Sequence, residues 1–237
     1  MKTDKYLILF IALFVVMVSV MPIRATDYPS NGEINWKGQT WDVRSGTGQP
    51  GNNYWNNEGV WVDDKNRMHL TIVNDNGKWK CTEIDSRNKF LYGTFTWKVA
   101  SPVFTYDKNS VVGLFTYLDD SQELDIEMAR WGQSNGNQLW NSVQPYSISG
   151  NSKGALIPSR ITGTNTIHKI DWQPTYIRFT STTKGGKVLS DFNYTNVNGI
   201  PTNPEYVIMN LWLQGAPSDG KNIELIISDF SYTPYKQ

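Results

Sequence analysis

The chain has 237 residues, with 22 basic side chains balanced by 22 acidic ones, and a single cysteine, Cys81. So even a balance argues against a nucleic-acid partner, which would need a basic face. One cysteine excludes an internal disulfide, and two histidines, His69 and His168, give no support to a His-based triad or a His-rich zinc site.

The first 25 residues read as a secretory leader. Lys2 and Lys5 precede a 16-residue apolar run, Tyr6 to Met21. That length suits the core of a signal peptide and is short for a membrane span of about 20 residues. Ile23-Arg24-Ala25 offers a cleavage site, and an uncleaved N-terminal anchor is the alternative. Without residues 1–25, which hold Lys2, Lys5 and Arg24 against Asp4, the formal net charge falls from 0 to −2. Residues 26–237 suffice for one sizeable domain.

Thr26–Asn35 reads as an irregular lead-in and Trp36–Val43 as a first strand. Ser45 to Asn53 is a loop by its Gly, Pro and Asn content. Short strands then recur: Val60–Val62, Met68–Val73, Lys80–Asp85, Gly93–Val99, Val111–Tyr117 and Glu123–Ala129. Ser142–Tyr146, His168–Trp172, Tyr176–Thr180, Tyr206–Trp212 and Glu224–Thr233 complete the series. Asp75-Asn76-Gly77 and Lys184-Gly185-Gly186 are hairpin turns. No long amphipathic helix, repeat or linker composition interrupts them. The spacing predicts a single all-β sandwich or barrel. His69 and His168 are expected to be structural and Cys81 to be a small buried hydrophobe. Aromatic residues make up 13% of the chain, with ten tryptophans. Sugars present apolar C–H faces and a hydroxyl rim, so this composition fits a glycan ligand, as it fits any extracellular β-sandwich.

One segment carries chemistry. Glu123-Leu124-Asp125-Ile126-Glu127 alternates strictly, so a strand here turns Leu124 and Ile126 to a core and three acids to the opposite face. Adjacent acids repel each other, and stability alone does not select them. Glutamates four apart have Cα atoms roughly 13 Å apart. With side chains leaning inward, their carboxyls approach about 5–6 Å, close to the separation of retaining glycoside hydrolysis. Asp125 between them can hold the two pKa values apart. A solvated edge strand and a divalent-cation site are the other readings of the same spacing.

The run resembles the signature of glycoside hydrolase family 16, Glu-x-Asp-x-Glu, found in bacterial lichenases and xyloglucan-active enzymes. Cys81-Thr82-Glu83 followed by Tyr92-Gly93 is similar to the family's Cys-Ala-Glu segment and Tyr-Gly turn. Leu114-Phe115-Thr116-Tyr117 is similar to the strand before the catalytic one. Asp171-Trp172-Gln173-Pro174, Met209-Asn210-Leu211-Trp212 and the last strand with Asp229 follow in family order, over about residues 60–233.

The resemblance implies a jelly-roll β-sandwich of two antiparallel sheets with a concave glycan-binding cleft. It implies Glu123 as nucleophile, Asp125 as assisting acid and Glu127 as general acid/base. Expected substrate contacts are Glu83, Arg87, Tyr117, Trp131, Trp140, Tyr146, Asn210 and Trp212, with Tyr146 reaching the nucleophile. Asn52 and Asn53 resemble a polar loop over the cleft. Asp229 matches a structural Ca²⁺ site, while catalysis needs no cofactor. The sequence departs from lichenases at Ser121, where they have Trp, and at Asp85, where they have Arg, a place Arg87 is a candidate to fill. A disulfide partner for Cys81 is absent, and the Arg130 to Val143 segment is longer. The expected protein is a secreted or cell-surface, monomeric, retaining endo-hydrolase of a β-linked polysaccharide. A transglycosylase or a non-catalytic glycan-binding module on the same fold are the alternatives.

Overall fold

A computed structural model describes residues 32–236. The leader expected at residues 1–25 lies outside the described residues. Among the described residues no helix is long and apolar enough to cross a membrane.

Strands β1 (Glu33–Trp36), β2 (Gln39–Val43), β3 (Gly46–Gly48), β4 (Asn53–Trp55) and β5 (Val60–Val62) open the fold. The long pair β6 (Met68–Asp75) and β7 (Lys78–Phe90) follows. Next come β8 (Gly93–Val99), β9 (Ser110–Asp119), β10 (Gln122–Ala129), β11 (Leu139–Val143) and β12 (Ser152–Ala155). The last five are β13 (Thr166–Trp172), β14 (Ile177–Thr183), β15 (Val188–Tyr194), β16 (Glu205–Leu213) and β17 (Ile223–Pro234).

They form the two antiparallel sheets of a jelly-roll sandwich. One runs β1–β2–β7–β16–β9–β10–β11–β12. The other runs β5–β6–β17–β8–β13–β14–β15. The β6–β7 hairpin belongs to both and joins them along one edge. Its turn needs two left-handed residues, and Asn76 and Gly77 supply φ of 53° and 87°. The short β3–β4 hairpin flanks that edge, with β4 parallel to β7.

The expected first strand is instead two, β1 and β2, because Lys37 and Gly38 both take positive φ and close a tight hairpin. The loop expected from Ser45 to Asn53 contains β3 and reaches the start of β4. The strand expected at Ser142–Tyr146 lies earlier, at Leu139–Val143, which leaves Tyr146 in a turn.

Alternation on β10 builds the core. Leu124 and Ile126 are completely buried, in one apolar cluster with Leu114, Val143 and Val207 of the neighbouring strands. Phe95, Trp97, Ile170 and Phe179 of the other sheet belong to the same cluster and are also fully buried. His168 lies within this layer, bonded to Thr166 and Ser181, and burial lowers its pKa to about 3, so it stays neutral. The two-residue period therefore couples the core to the face that carries the acids. Truncating Leu124→Ala is expected to cost about 2–5 kcal/mol, through the lost burial and the cavity left behind. Urea unfolding reads this directly, and an unchanged midpoint would contradict the buried placement.

Candidate active site

The register aligns side chains in rungs across the concave face. The first rung holds Tyr206, Tyr117 and Glu123, with Gln144 beyond. The second holds Ile208, Phe115, Asp125 and Ser142. Asn210, Gly113, Glu127 and Trp140 make the third, and Trp212, Val111 and Ala129 the fourth. On β7, Asp85 continues the second rung and Glu83 the third. A bulge in β9 just before Glu123 fixes where the acid row begins.

Glu123 and Glu127 keep part of their surface open, whereas Asp125 is 4% exposed. Glu123 and Asp125 share a hydrogen bond, and Gln144 Nε2 donates to Asp125 Oδ2 at 2.9 Å. Burial pushes the Glu123 carboxyl well above its ordinary value, and the charges of Asp125 and Glu127 add to the rise. Burial raises Asp125 to about 6, partly offset by the bonds from Glu123 and Gln144. Glu127 rises to about 8, through burial first and the Asp125 charge second. At neutral pH the row therefore holds protons on some members and charge on another, the division that acid–base work requires.

Beside the acids lies a buried polar frame. Glu83 Oε1 accepts from Arg44 Nη1 at 2.7 Å and Glu83 Oε2 from Asn210 Nδ2 at 3.0 Å. Arg44 stacks on Trp55, 4.3 Å from the ring centre. Gly113 leaves the space that Asn210 occupies, since a Cβ there would collide with Asn210 Oδ1. That oxygen is buried with no hydrogen-bond partner among the described residues. Asn53 ties the loop before β4 to this frame, bonding Leu213 O and Cys81 Sγ. Cys81 is buried and its thiol is pushed up to about 12, a structural rather than reactive cysteine.

The expected contacts divide. Glu83, Asn210, Trp212 and Trp140 stand on the acid face, and Trp131 packs on Trp212 with ring centres 6.1 Å apart. Asn210 and Trp212 are far more buried than an open platform, at 3% and 7% exposure. Tyr117 sits beside Glu123 but gives its hydroxyl to Asp120. Tyr146 does not reach the nucleophile position. It is 61% exposed in the turn after β11, and Gln144 contacts the acids instead. Arg87 does not reach Glu83 either, because a bulge between Asp85 and Lys89 turns it outward to Glu33 and Asp42. Arg44 occupies that role, a residue the sequence pattern did not single out, and its pairing spans 39 positions. Asp229 is held between Lys98 at 2.7 Å and Lys37 at 3.3 Å, one ammonium on each oxygen. Two cations there do not fit a Ca²⁺ ligand.

The site is thus an antiparallel β-sandwich with a row of three carboxyls on its concave face, two of which, Glu123 and Asp125, share a hydrogen bond. Comparison with known proteins supplies the family. Residues 47–226 match the model of glycosyl hydrolases family 16, and the chain belongs to that family. It is 25% identical over 197 residues to a β-glucanase of Paenibacillus polymyxa, covering 76% of each protein. Its fold is similar to a Bacillus licheniformis β-glucanase, with TM-score 0.67, 20% identity and coverage of 88% and 97% of the two chains. A lichenase from a mouse hindgut metagenome matches with TM-score 0.66 and 21% identity, over 85% of this chain and 96% of the other.

Two outcomes follow from the geometry. A carboxyl whose pKa is higher folded than unfolded holds its proton more tightly when folded, so its contribution to stability falls as pH rises between the two values. For Glu127 that window runs from 4.5 to about 8, and for Asp125 from 3.8 to about 6. Glu127→Gln is therefore expected to melt with the native protein near pH 4 and above it at pH 8. For a chain this size each kcal/mol is worth about 2–4 °C. Equal differences at both pH values would contradict the buried acid. Gly113→Ala must displace Asn210, at about 1–3 kcal/mol in urea unfolding.

Proposed function

We propose that the protein is a secreted, retaining endo-hydrolase of a β-glucan-like polysaccharide. The observation that carries this reading is the three-acid row, with Asp125 bonded to Glu123 and Glu127 raised to about 8. Glu127 then remains protonated at neutral pH while the Glu123–Asp125 pair carries the charge. The hydrogen bond between those two lets the proton rest on Asp125 as Glu123 attacks.

In the first step a Glu123 carboxylate oxygen bonds to the anomeric carbon. The glycosidic C–O bond breaks, and the Glu127 proton passes to the departing oxygen. In the second, a water oxygen bonds to that carbon, its proton returns to Glu127, and the ester to Glu123 breaks. A sugar hydroxyl in place of the water gives transglycosylation through the same intermediate.

Cleavage within chains is supported by the width of the face. The five strands β7, β16, β9, β10 and β11 span roughly 20 Å at about 4.8 Å each, room for several sugar residues. Trp140 and Trp131, both partly exposed, offer apolar surface for sugar C–H faces, with Trp212 packed beneath Trp131 and the Glu83–Asn210 pair bracing the floor. Residues 1–25 provide the secretion signal. A non-catalytic binding module has no use for three mutually repelling acids.

Glu123→Gln is expected to abolish release of reducing ends from a β-glucan while retaining affinity for it, and wild-type turnover would exclude Glu123 as nucleophile. Glu127→Gln should lose about 10²–10⁴-fold. The pH profile of kcat/KM should be a bell, with its acid limb near 6 and its alkaline limb near 8. An aryl glycoside whose leaving group needs no proton should lose the alkaline limb. A limb that persists on that substrate would contradict the acid role of Glu127.

A further inference from the structure

In the third rung Asn210, Gly113 and Glu127 stand on three neighbouring strands, with the glycine in the middle. The Asn210 amide leans into the gap, and its Oδ1 stands against the place where a Cβ at position 113 would be. Paired residues of adjacent antiparallel strands carry their Cβ atoms about 4.5–5.5 Å apart. Gly113 is paired with Glu127, so this oxygen takes the place of a cross-strand side chain beside the Glu127 carboxyl.

The end of the amide that faces the gap is fixed from behind. Asn210 Nδ2 donates to Glu83 Oε2 at 3.0 Å, and Glu83 Oε1 accepts from Arg44 Nη1 at 2.7 Å. A carboxylate only accepts, so it holds the amide nitrogen and turns the oxygen towards Gly113. That oxygen is out of reach of solvent and has no hydrogen-bond donor among the described residues. The unshared negative end of an amide dipole, in a dry setting, disfavours charge on a neighbouring carboxyl. A carboxyl that keeps its proton can donate to the same oxygen and offset the cost of burying an acceptor alone.

We propose that Asn210 is a positioning residue for Glu127, whose oxygen, aimed by the Arg44–Glu83 pair, holds the proton on the Glu127 carboxyl. Burial and the Asp125 charge raise Glu127 to about 8, and the amide acts in the same direction. The other ionisable groups on this face are Glu123 and Asp125 on β10, Glu83 and Asp85 on β7, and Tyr117 and Tyr206 two rungs away on β9 and β16. Arg44 is the cation of the frame, and Glu83 lies against it and offsets its charge. From β11 the paired residue is Trp140, which does not ionise. The use of that proton rests on the hydrolase reading, whereas the pH at which Glu127 releases it does not.

The test uses Asn210→Leu and Glu83→Gln, two substitutions that nearly conserve side-chain size. The leucine removes the oxygen and still keeps water out. The glutamine offers an N–H to Asn210 Oδ1 and frees the amide to turn. Glu127 is followed in two ways, as the alkaline limb of kcat/KM on a β-glucan and by carboxyl-carbon NMR of the free protein, with Glu127→Gln identifying its signal. Each variant should lower the pH at which Glu127 loses its proton by about one pH unit, roughly the worth of one hydrogen bond. A merely structural role predicts the opposite for Asn210→Leu, because a more apolar wall raises a buried carboxyl. An unchanged or raised Glu127 in either folded variant would overturn the proposal, and Glu83→Gln alone decides if Asn210→Leu does not fold. If the native protein releases no reducing ends from β-glucans, the hydrolase reading fails. The NMR change would then still support the link from Asn210 to Glu127, and its absence would refute it.

Discussion

Everything at this site depends on one strand having two unlike faces. β10 places Leu124 and Ile126 in the core and Glu123, Asp125 and Glu127 on the concave surface. A register slip of one residue would bury the acids between the sheets and expose the aliphatic side chains. The core therefore fixes the direction and spacing of the acids. Crowding three carboxyls costs stability, and the surrounding burial of Leu114, Val143 and Val207 offsets it. The strain and the protonation state have a common origin, since the desolvation that raises Glu127 to about 8 also keeps it protonated at neutral pH.

The second layer of organisation is a buried polar frame. Arg44, Glu83 and Asn210 form a continuous chain of hydrogen bonds across β7 and β16, over the gap left by Gly113. A buried ion pair adds little net stability, because desolvating both charges offsets their attraction. Here it keeps the floor beside the acids rigid, with Trp55 stacked on Arg44 and Asn53 bonded to Leu213 O.

The sequence made the acid face legible because period-2 alternation is local. The same held for the Asn76-Gly77 turn, whose residues tolerate positive φ. The Lys37-Gly38 hairpin was less visible, because lysine at a left-handed position carries no turn signal of its own. Arg44 was invisible for a different reason. Its meaning comes from Glu83, 39 residues away, and no local pattern reports such a pairing. Asp229 lay in a strand of the expected kind, yet Lys98 on the paired strand β8 and Lys37 in the β1–β2 turn, both far away in sequence, occupy its two oxygens. Tyr146 and Gln144 are two residues apart, and only the end of β11 at Val143 determines which of them faces the acids.

The central claim is that Glu123 forms the covalent link to sugar. A 2-deoxy-2-fluoro β-glucosyl oligosaccharide with an activated leaving group slows the second displacement and traps that link. Peptide mass spectrometry of the treated protein should place one glycosyl adduct on Glu123. An adduct on Glu127 or Asp125, or turnover with inversion at the anomeric carbon and no adduct at all, would contradict it.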